Sequence, residues 1–254
     1  MMSSKLLTLA FIFTSLSVDI TSFPVKFFKD AKTVAPSSIV LKIKMPSEGS
    51  PRKRRGGGGR DPFCGAKPDL TALIPLRGLG LTSQNPKFWF YVPSQGNASY
   101  SAEFLLEDKS NTGNQVYSQT FKLEKTPGIM SISLPKKIKL DSNKIYEWKL
   151  SVIVNPKDRN DDCFIYGGVK QVPLTRDVSD KLKSAKTARE RIAIYAENGL
   201  WYDVLTDLAE LRRQNPNDET LKSDWNDLLG HQDVRLEDIA SKPIVSCCEF
   251  NSEP

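Results

Sequence analysis

Histidine is almost missing from this chain: His231 is the only one in 254 residues. Its scarcity removes most imidazole metal sites and most general-base arrangements. His231 itself follows Gly230 in a polar stretch and reads as a surface residue. A run long enough to cross a bilayer as a helix, about 20 residues, is also lacking. The one candidate, Leu6 to Val18, is interrupted by Thr8, Thr14, Ser15 and Ser17. Phosphate-loop chemistry is excluded as well. Gly56 to Gly59 follows no strand and opens no helix, so these glycines cradle no phosphate.

Without histidine, paired carboxylates are the remaining route to acid and base chemistry. Asp158, Asp161 and Asp162 share one loop, where aspartates are commonly solvated turn formers. Asp158, Asn160 and Asp162 alternate like the first half of a calcium loop, and are the only metal candidates. Cys163 and Val169 stand where that loop needs its glycine and closing glutamate. No catalytic residue and no cofactor is therefore assigned.

Cysteine is scarce but even in number: Cys64, Cys163, Cys247 and Cys248. Lys5 followed by the short apolar run and small residues reads as a secretory signal over residues 1–22. In an exported protein an even count suggests disulfides. Four cysteines allow three pairings; Cys64 with Cys163 closes a long loop. Cys247 bonded to its neighbour Cys248 would be strained, so free or intermolecular thiols at the tail stay open.

The net charge is +6, and the excess is local. Arg52, Lys53, Arg54, Arg55 and Arg60 sit in one tract, and the rest of the chain is close to neutral. The chain is thus not a specific nucleic-acid binder. Residues 23–62, rich in Lys, Pro and Ser and ending in this tract, read as a mobile linker. The tract's cations are candidates for an anionic surface.

From Leu70 the pattern alternates with period two. Phe104 and Leu106 oppose Glu103 and Glu107; Met130, Ile132 and Leu134 oppose Ser131 and Ser133; Tyr146, Trp148, Leu150 and Val152 form another stripe. Phe88-Trp-Phe-Tyr-Val92 is apolar on both faces and belongs in the middle of a sheet. Turn sequences separate about seven such strands. Residues 63–174 are expected to form an immunoglobulin-like antiparallel β-sandwich. Trp89, Trp148, Trp201 and Trp225 read as core rather than as sugar platforms. Asn97-Ala-Ser99 is a formal glycosylation sequon in a turn.

After Asp177 the period becomes helical. Leu182, Ala185, Ala188, Ile192 and Tyr195 share one stripe, stopped by Asn198-Gly199. Trp201 to Leu211 forms a second, stopped by Asn215-Pro216. Asp218 caps a third that closes at Gly230. A small three-helix region over 177–240 follows the sandwich, with a cysteine-containing tail over 241–254.

Several strings here resemble a known family. They are Pro51-Arg-Lys-Arg-Arg55 with its glycines, Leu70-Thr-Ala-Leu-Ile-Pro75, Pro86-Lys-Phe-Trp-Phe-Tyr-Val-Pro93, Thr126-Pro-Gly128 and Tyr146-Glu-Trp148. Together they are similar to the cyanobacterial family catalogued as domain of unknown function 928, from about Arg52 to Val172. The segments around Tyr195–Asp203, Leu211–Asp218 and Trp225–Leu229 resemble the C-terminal extension that many members carry. In that family's pattern the second cysteine ends the Trp148 strand, where this chain has Val154. Here Cys163 lies on the returning strand of the same hairpin. A bond from Cys64 survives if the two positions face each other. The family implies architecture and an exported, periplasmic or extracellular address, but no chemistry.

The functional expectation is an exported, non-catalytic binding or envelope-associated module. It would meet an envelope protein or glycan through loops or the helical tail, with no transmembrane segment after signal removal. The alternatives are a hydrolase using the loop aspartates and an anionic-surface anchor using the basic tract.

Overall fold

The computed structural model describes residues 41–46, 49, 53–56, 61–110, 114–123, 126–247 and 249–250. The expected signal, Arg52, Arg60 and Cys248 lie outside the described residues. All described residues belong to one compact unit, 38–254.

Alternation of apolar and polar residues produces two sheets. The first holds β1 (Thr71–Ala72), β3 (Lys87–Val92) and β6 (Gly128–Ser133), with β3 in the middle. The second runs β2 (Leu79–Thr82), β8 (Cys163–Gln171), β7 (Tyr146–Ile153), β4 (Ser101–Asp108), β5 (Asn114–Lys122) and β9 (Glu249–Phe250). Phe88 to Val92 is buried throughout, as a central strand covered on both faces must be. Burial in β4 alternates strictly, matching its sequence pattern. The sheets share one core. Phe88 of β3 packs 4.9 Å from Phe104 of β4 and 5.6 Å from Trp148 of β7, centroid to centroid.

One pairing departs from the antiparallel expectation: β2 runs parallel to β8, with Leu79 opposite Gly168 and Thr82 opposite Gln171. No hairpin joins these two strands, so nothing local sets their relative direction. The second sheet is therefore mixed.

The helices also differ from expectation. The stripe read as one helix from Asp177 is two, α1 (Arg176–Ser184) and α2 (Ala188–Glu197). Thr187 breaks it: its backbone is extended, its hydroxyl accepts from Glu190 N–H, and the Glu190 carboxylate accepts from Lys186 N–H at 2.6 Å. Thr187-x-x-Glu190 is a capping-box signature, hidden because the apolar spacing runs on across it. α3 (Trp201–Gln214) and α4 (Glu219–Leu229) stop and start where the sequence places them, and a short α5 (Glu237–Ala240) follows. Gly199, with φ of 70°, supplies the left-handed turn after α2.

These helices are not a separate layer with its own core. α3 packs on β2 of one sheet and β3 of the other. Trp201 Nε1 donates to Leu73 O, and Trp89 Nε1 donates to Thr206 Oγ1. The Tyr202 hydroxyl accepts from Trp148 Nε1 at 2.8 Å and donates to Gly168 O at 3.0 Å. A side chain at Gly80 would stand 2.5 Å from the Tyr202 ring, so the ring needs that glycine. Asp203, buried on the same helix turn, accepts from Ser83 N–H and hydroxyl.

The chain ends of the described unit cross both seams between the sheets. At one seam, Lys53 O accepts from Tyr166 N–H of β8, Arg54 O accepts from Ala72 N–H of β1, and Gly56 N–H donates to Leu70 O. At the other, Ile244 bridges in parallel to Ile129 of β6, and β9 pairs with β5 at Phe121 and Lys122. Covering sheet edges in this way blunts their tendency to pair with other chains.

Candidate functional site

The basic tract has a different role from the mobile, solvated linker its composition suggests, at the residues described. The Arg54 guanidinium donates to Ile74 O, Val234 O and Arg235 O. Burial pulls its pKa down to about 10. Arg55 forms a bidentate pair with Asp238, at 2.8 and 2.9 Å, and a second pair with Asp69 at 3.2 Å. Its hydrogen bonds to Asp238 raise its pKa, outweighing partial desolvation. Composition cannot show this, because the partners lie 14 to 183 residues away. The tract is a clasp joining both sheets to the α5 region. Along this extended segment side chains alternate. Arg54 turns inward, and Lys53 turns onto the outer face of the second sheet.

That outer face carries a cleft of 310 Å³. Its floor comes from β4, β7 and β8, where Glu103 stands opposite Ser151 and Ser151 opposite Phe164. Leu105 and Lys149 complete the floor. The wall is the hairpin loop after β7, whose single 3-10 turn, Arg159–Asp161, is capped by Asp158. Arg159 reaches across the cleft. It donates to Asp162 Oδ2 at 2.5 Å and to Glu103 Oε2 at 3.0 Å, and its pKa is raised chiefly by the bond to Asp162. Asp162 Oδ1 is buried and has no hydrogen-bond partner among the described residues.

Phe164 lies at the rim, half-buried, with its ring stacked near Tyr166. Two ammonium groups sit against that ring: Lys53 Nζ at 3.8 Å from its centroid and Lys149 Nζ at 4.5 Å. Phe164 and Tyr166 escape a reading that looks for aromatic platforms among tryptophans. All four tryptophans are buried. The available signal was the alternation of Cys163, Ile165 and Val169 against Phe164, Tyr166 and Lys170.

The three loop positions considered for metal do not converge. Asp158 Oδ1 accepts from Asn160 N–H and Nδ2, closing a local turn, while Asp162 turns to Arg159. Asp161 is exposed. Among the described residues no cluster of His, Cys, Asp or Glu is arranged to hold a metal ion. His231 is partly buried, with Nδ1 accepting from Asp233 N–H at 3.2 Å. A second cleft, of 370 Å³, is lined by Lys44, Met45, Leu81, Lys170, Val172 and Asn198.

Cys64 and Cys163 are joined by a disulfide with Cα atoms 5.6 Å apart. Cys163 stands opposite Val152 on the neighbouring strand, two positions from Val154. On this register Cys163 faces Val152 rather than Val154. Cys247 is disulfide-bonded too, and no described cysteine is free. No helix among the described residues is long and apolar enough to cross a membrane.

No curated protein matches the chain. A family match spans residues 55–244, from Arg55 in the clasp to Ile244 at the second seam. It therefore takes in the helices that the sequence resemblance treated as an extension. On this match, the chain belongs to the family described as Domain of Unknown Function (DUF928).

Proposed function

We propose that this protein is an exported, non-catalytic module that binds an envelope glycan in the cleft on the outer face of the six-stranded sheet. The observation that carries the reading is the cleft's composition. One rim aromatic, Phe164, stands beside a preformed hydrogen-bonding array of Arg159, Glu103, Asp162, Ser151 and Asn160. Sugars present hydroxyls to such arrays and C–H groups to apolar rims; because Lys53 and Lys149 rest against the Phe164 ring, the hydrogen-bonding array carries most of the recognition. The 310 Å³ volume is at the small end of ligand pockets, which run from about 300 Å³ upward. Binding is favoured over hydrolysis because Glu103 and Asp162 are turned toward one shared guanidinium. They do not face each other across a gap that would hold a scissile bond. In this reading the two sheets form an immunoglobulin-like sandwich that serves as scaffold. The disulfide supports an oxidising address, periplasmic or extracellular.

The test is retention of the mature chain on immobilised envelope polysaccharide, alone and with Phe164→Ala or Arg159→Ala. Each variant is expected to bind about tenfold more weakly, the effect of losing about 1.4 kcal/mol of contact. Full-strength retention by both variants would remove the cleft from consideration. Loss of a glycan-cleaving activity on changing Asp158, Asp161 and Asp162 to Asn would instead favour a hydrolase.

A further inference from the structure

From the turn that leads into β7 we infer that this protein rests on an anionic lipid surface through Lys136, Lys137 and Lys139. The connection from Leu134 to Ile145 joins the two sheets, running from the end of β6 to the start of β7. Ile138 N–H donates to Pro135 O, which closes a turn with Lys136 and Lys137 at its tip. Ile138 O accepts from Asn85 Nδ2, and the Ile138 side chain packs on the core. Leu140 is buried, while Lys139 between these two apolar residues is exposed, as are Lys136 and Lys137. The backbone is pinned and the three lysines are left in solvent.

Among the described residues none of the three pairs with a carboxylate. Lys144, the fourth lysine of the connection, is already held by Asp108 at 2.7 Å. Asp141 is the only acid between β6 and β7, so three free cations stand against one carboxylate. At the foot of the turn Lys87, opposite Ser133, shares Glu210 with Arg213, which leaves a further cation in excess. Composition points to the tract ending at Arg60 for an anionic surface, but the fold engages Arg54 and Arg55 internally and presents this second cluster instead.

Lysine is a flexible point charge without a fixed hydrogen-bonding fork. That suits a fluid array of headgroups better than a ligand read by directional contacts. None of the three lines either cleft described above, so they offer a tip rather than a recess. The turn enters β7 at the end opposite the loop that walls the smaller cleft, and the eight residues of β7 separate the two by about 25 Å. A membrane held at the turn therefore leaves that cleft open. The contact is reversible: each lysine near an anionic leaflet is worth roughly fivefold in partitioning, and three are worth on the order of a hundredfold.

The experiment is co-sedimentation of the mature chain with vesicles of phosphatidylglycerol and of phosphatidylcholine. Binding to phosphatidylglycerol alone is expected, weakening as salt rises. The variant Lys136→Gln, Lys137→Gln, Lys139→Gln should lose binding by on the order of a hundredfold. A control, Lys42→Gln, Lys157→Gln, Lys242→Gln, removes the same charge elsewhere and should bind as the parent does. Near-ultraviolet circular dichroism checks that both variants fold. Equal binding to the two lipids, undiminished binding by the loop variant, or equal losses in the two variants would overturn the proposal, the last by assigning attraction to net charge. Binding to soluble polygalacturonate but to neither vesicle would replace the lipid with an acidic polysaccharide.

Discussion

At the scale of single residues, the Tyr202 hydroxyl occupies a fully buried position between an indole N–H and a backbone carbonyl. Burial pushes its pKa far up, so the phenol stays neutral while the protein is folded. Tyr202→Phe leaves the buried Trp148 Nε1 without its acceptor and removes the side-chain hydrogen bond to Gly168 O, and is expected to cost about 1–3 kcal/mol in urea unfolding. Asp108 is a second exacting residue. Lys144 Nζ lies 2.7 Å from one carboxylate oxygen, and Ser110 donates twice to the other. The bond to Lys144, followed by that to the Ser110 hydroxyl, lowers its pKa from 3.8 to about 2. A depressed folded-state pKa means stability that is fully present above 3.8 and lost as pH falls through about 2. In thermal melts across that window, Asp108→Asn should flatten the acid-side slope. An unchanged slope would place the acid dependence in other carboxylates.

At the scale of elements, the clasp over 53–56 and the disulfide act on the same seam. Cys64 and Cys163 are separated by 99 residues, a closure worth about 4.7 kcal/mol in the chain-entropy account. Changing both cysteines to Ala should lower the urea midpoint by a corresponding amount; a shift under about 1 kcal/mol would mean that the clasp already holds the seam. Arg54→Met keeps much of the side chain's bulk but frees the carbonyls of Ile74, Val234 and Arg235. A loss of about 2 kcal/mol is expected, read from the same unfolding curves. The inner helix α3 is coupled to β2 as tightly. Gly80→Ala would drive a methyl group into Tyr202 and should destabilise the chain although the substitution is small.

At the scale of the whole molecule, the sheets and helices share one hydrophobic core. Trp201, Tyr202, Val204, Leu205 and Leu208 lie in the same continuous core as Phe88, Phe104 and Trp148. Each such side chain contributes roughly 1.5–3 kcal/mol through burial. A chain restricted to 41–174 would expose the faces of β2 and β3 that α3 covers. It should bind 8-anilinonaphthalene-1-sulfonate and lack a sharp thermal transition, whereas the full chain melts once. A cooperative, dye-free melt from the shorter chain would show that the sheets fold alone.

The sequence by itself determined whatever depends on near neighbours. Period-two stripes placed the strands, and the buried β3 was legible because its apolar residues are consecutive. Asn198-Gly199, Asn215-Pro216 and Asp218 marked helix ends because caps and stops act within a turn or two. The Cys64–Cys163 pairing was one of three that the count allowed. Tertiary structure alone decided the rest: the parallel direction of β2, the helix α3 lodged against both sheets, the carbonyl acceptors of Arg54, the carboxylate partners of Arg55, and the approach of Lys53 and Lys149 to Phe164. Each of these joins residues far apart in the chain, and no local spacing rule constrains such pairs. The same cause explains the misread tract. Its composition described five cations and their solubility, while the fold supplied the carbonyls and carboxylates that hold Arg54 and Arg55 and the aromatic ring on which Lys53 rests.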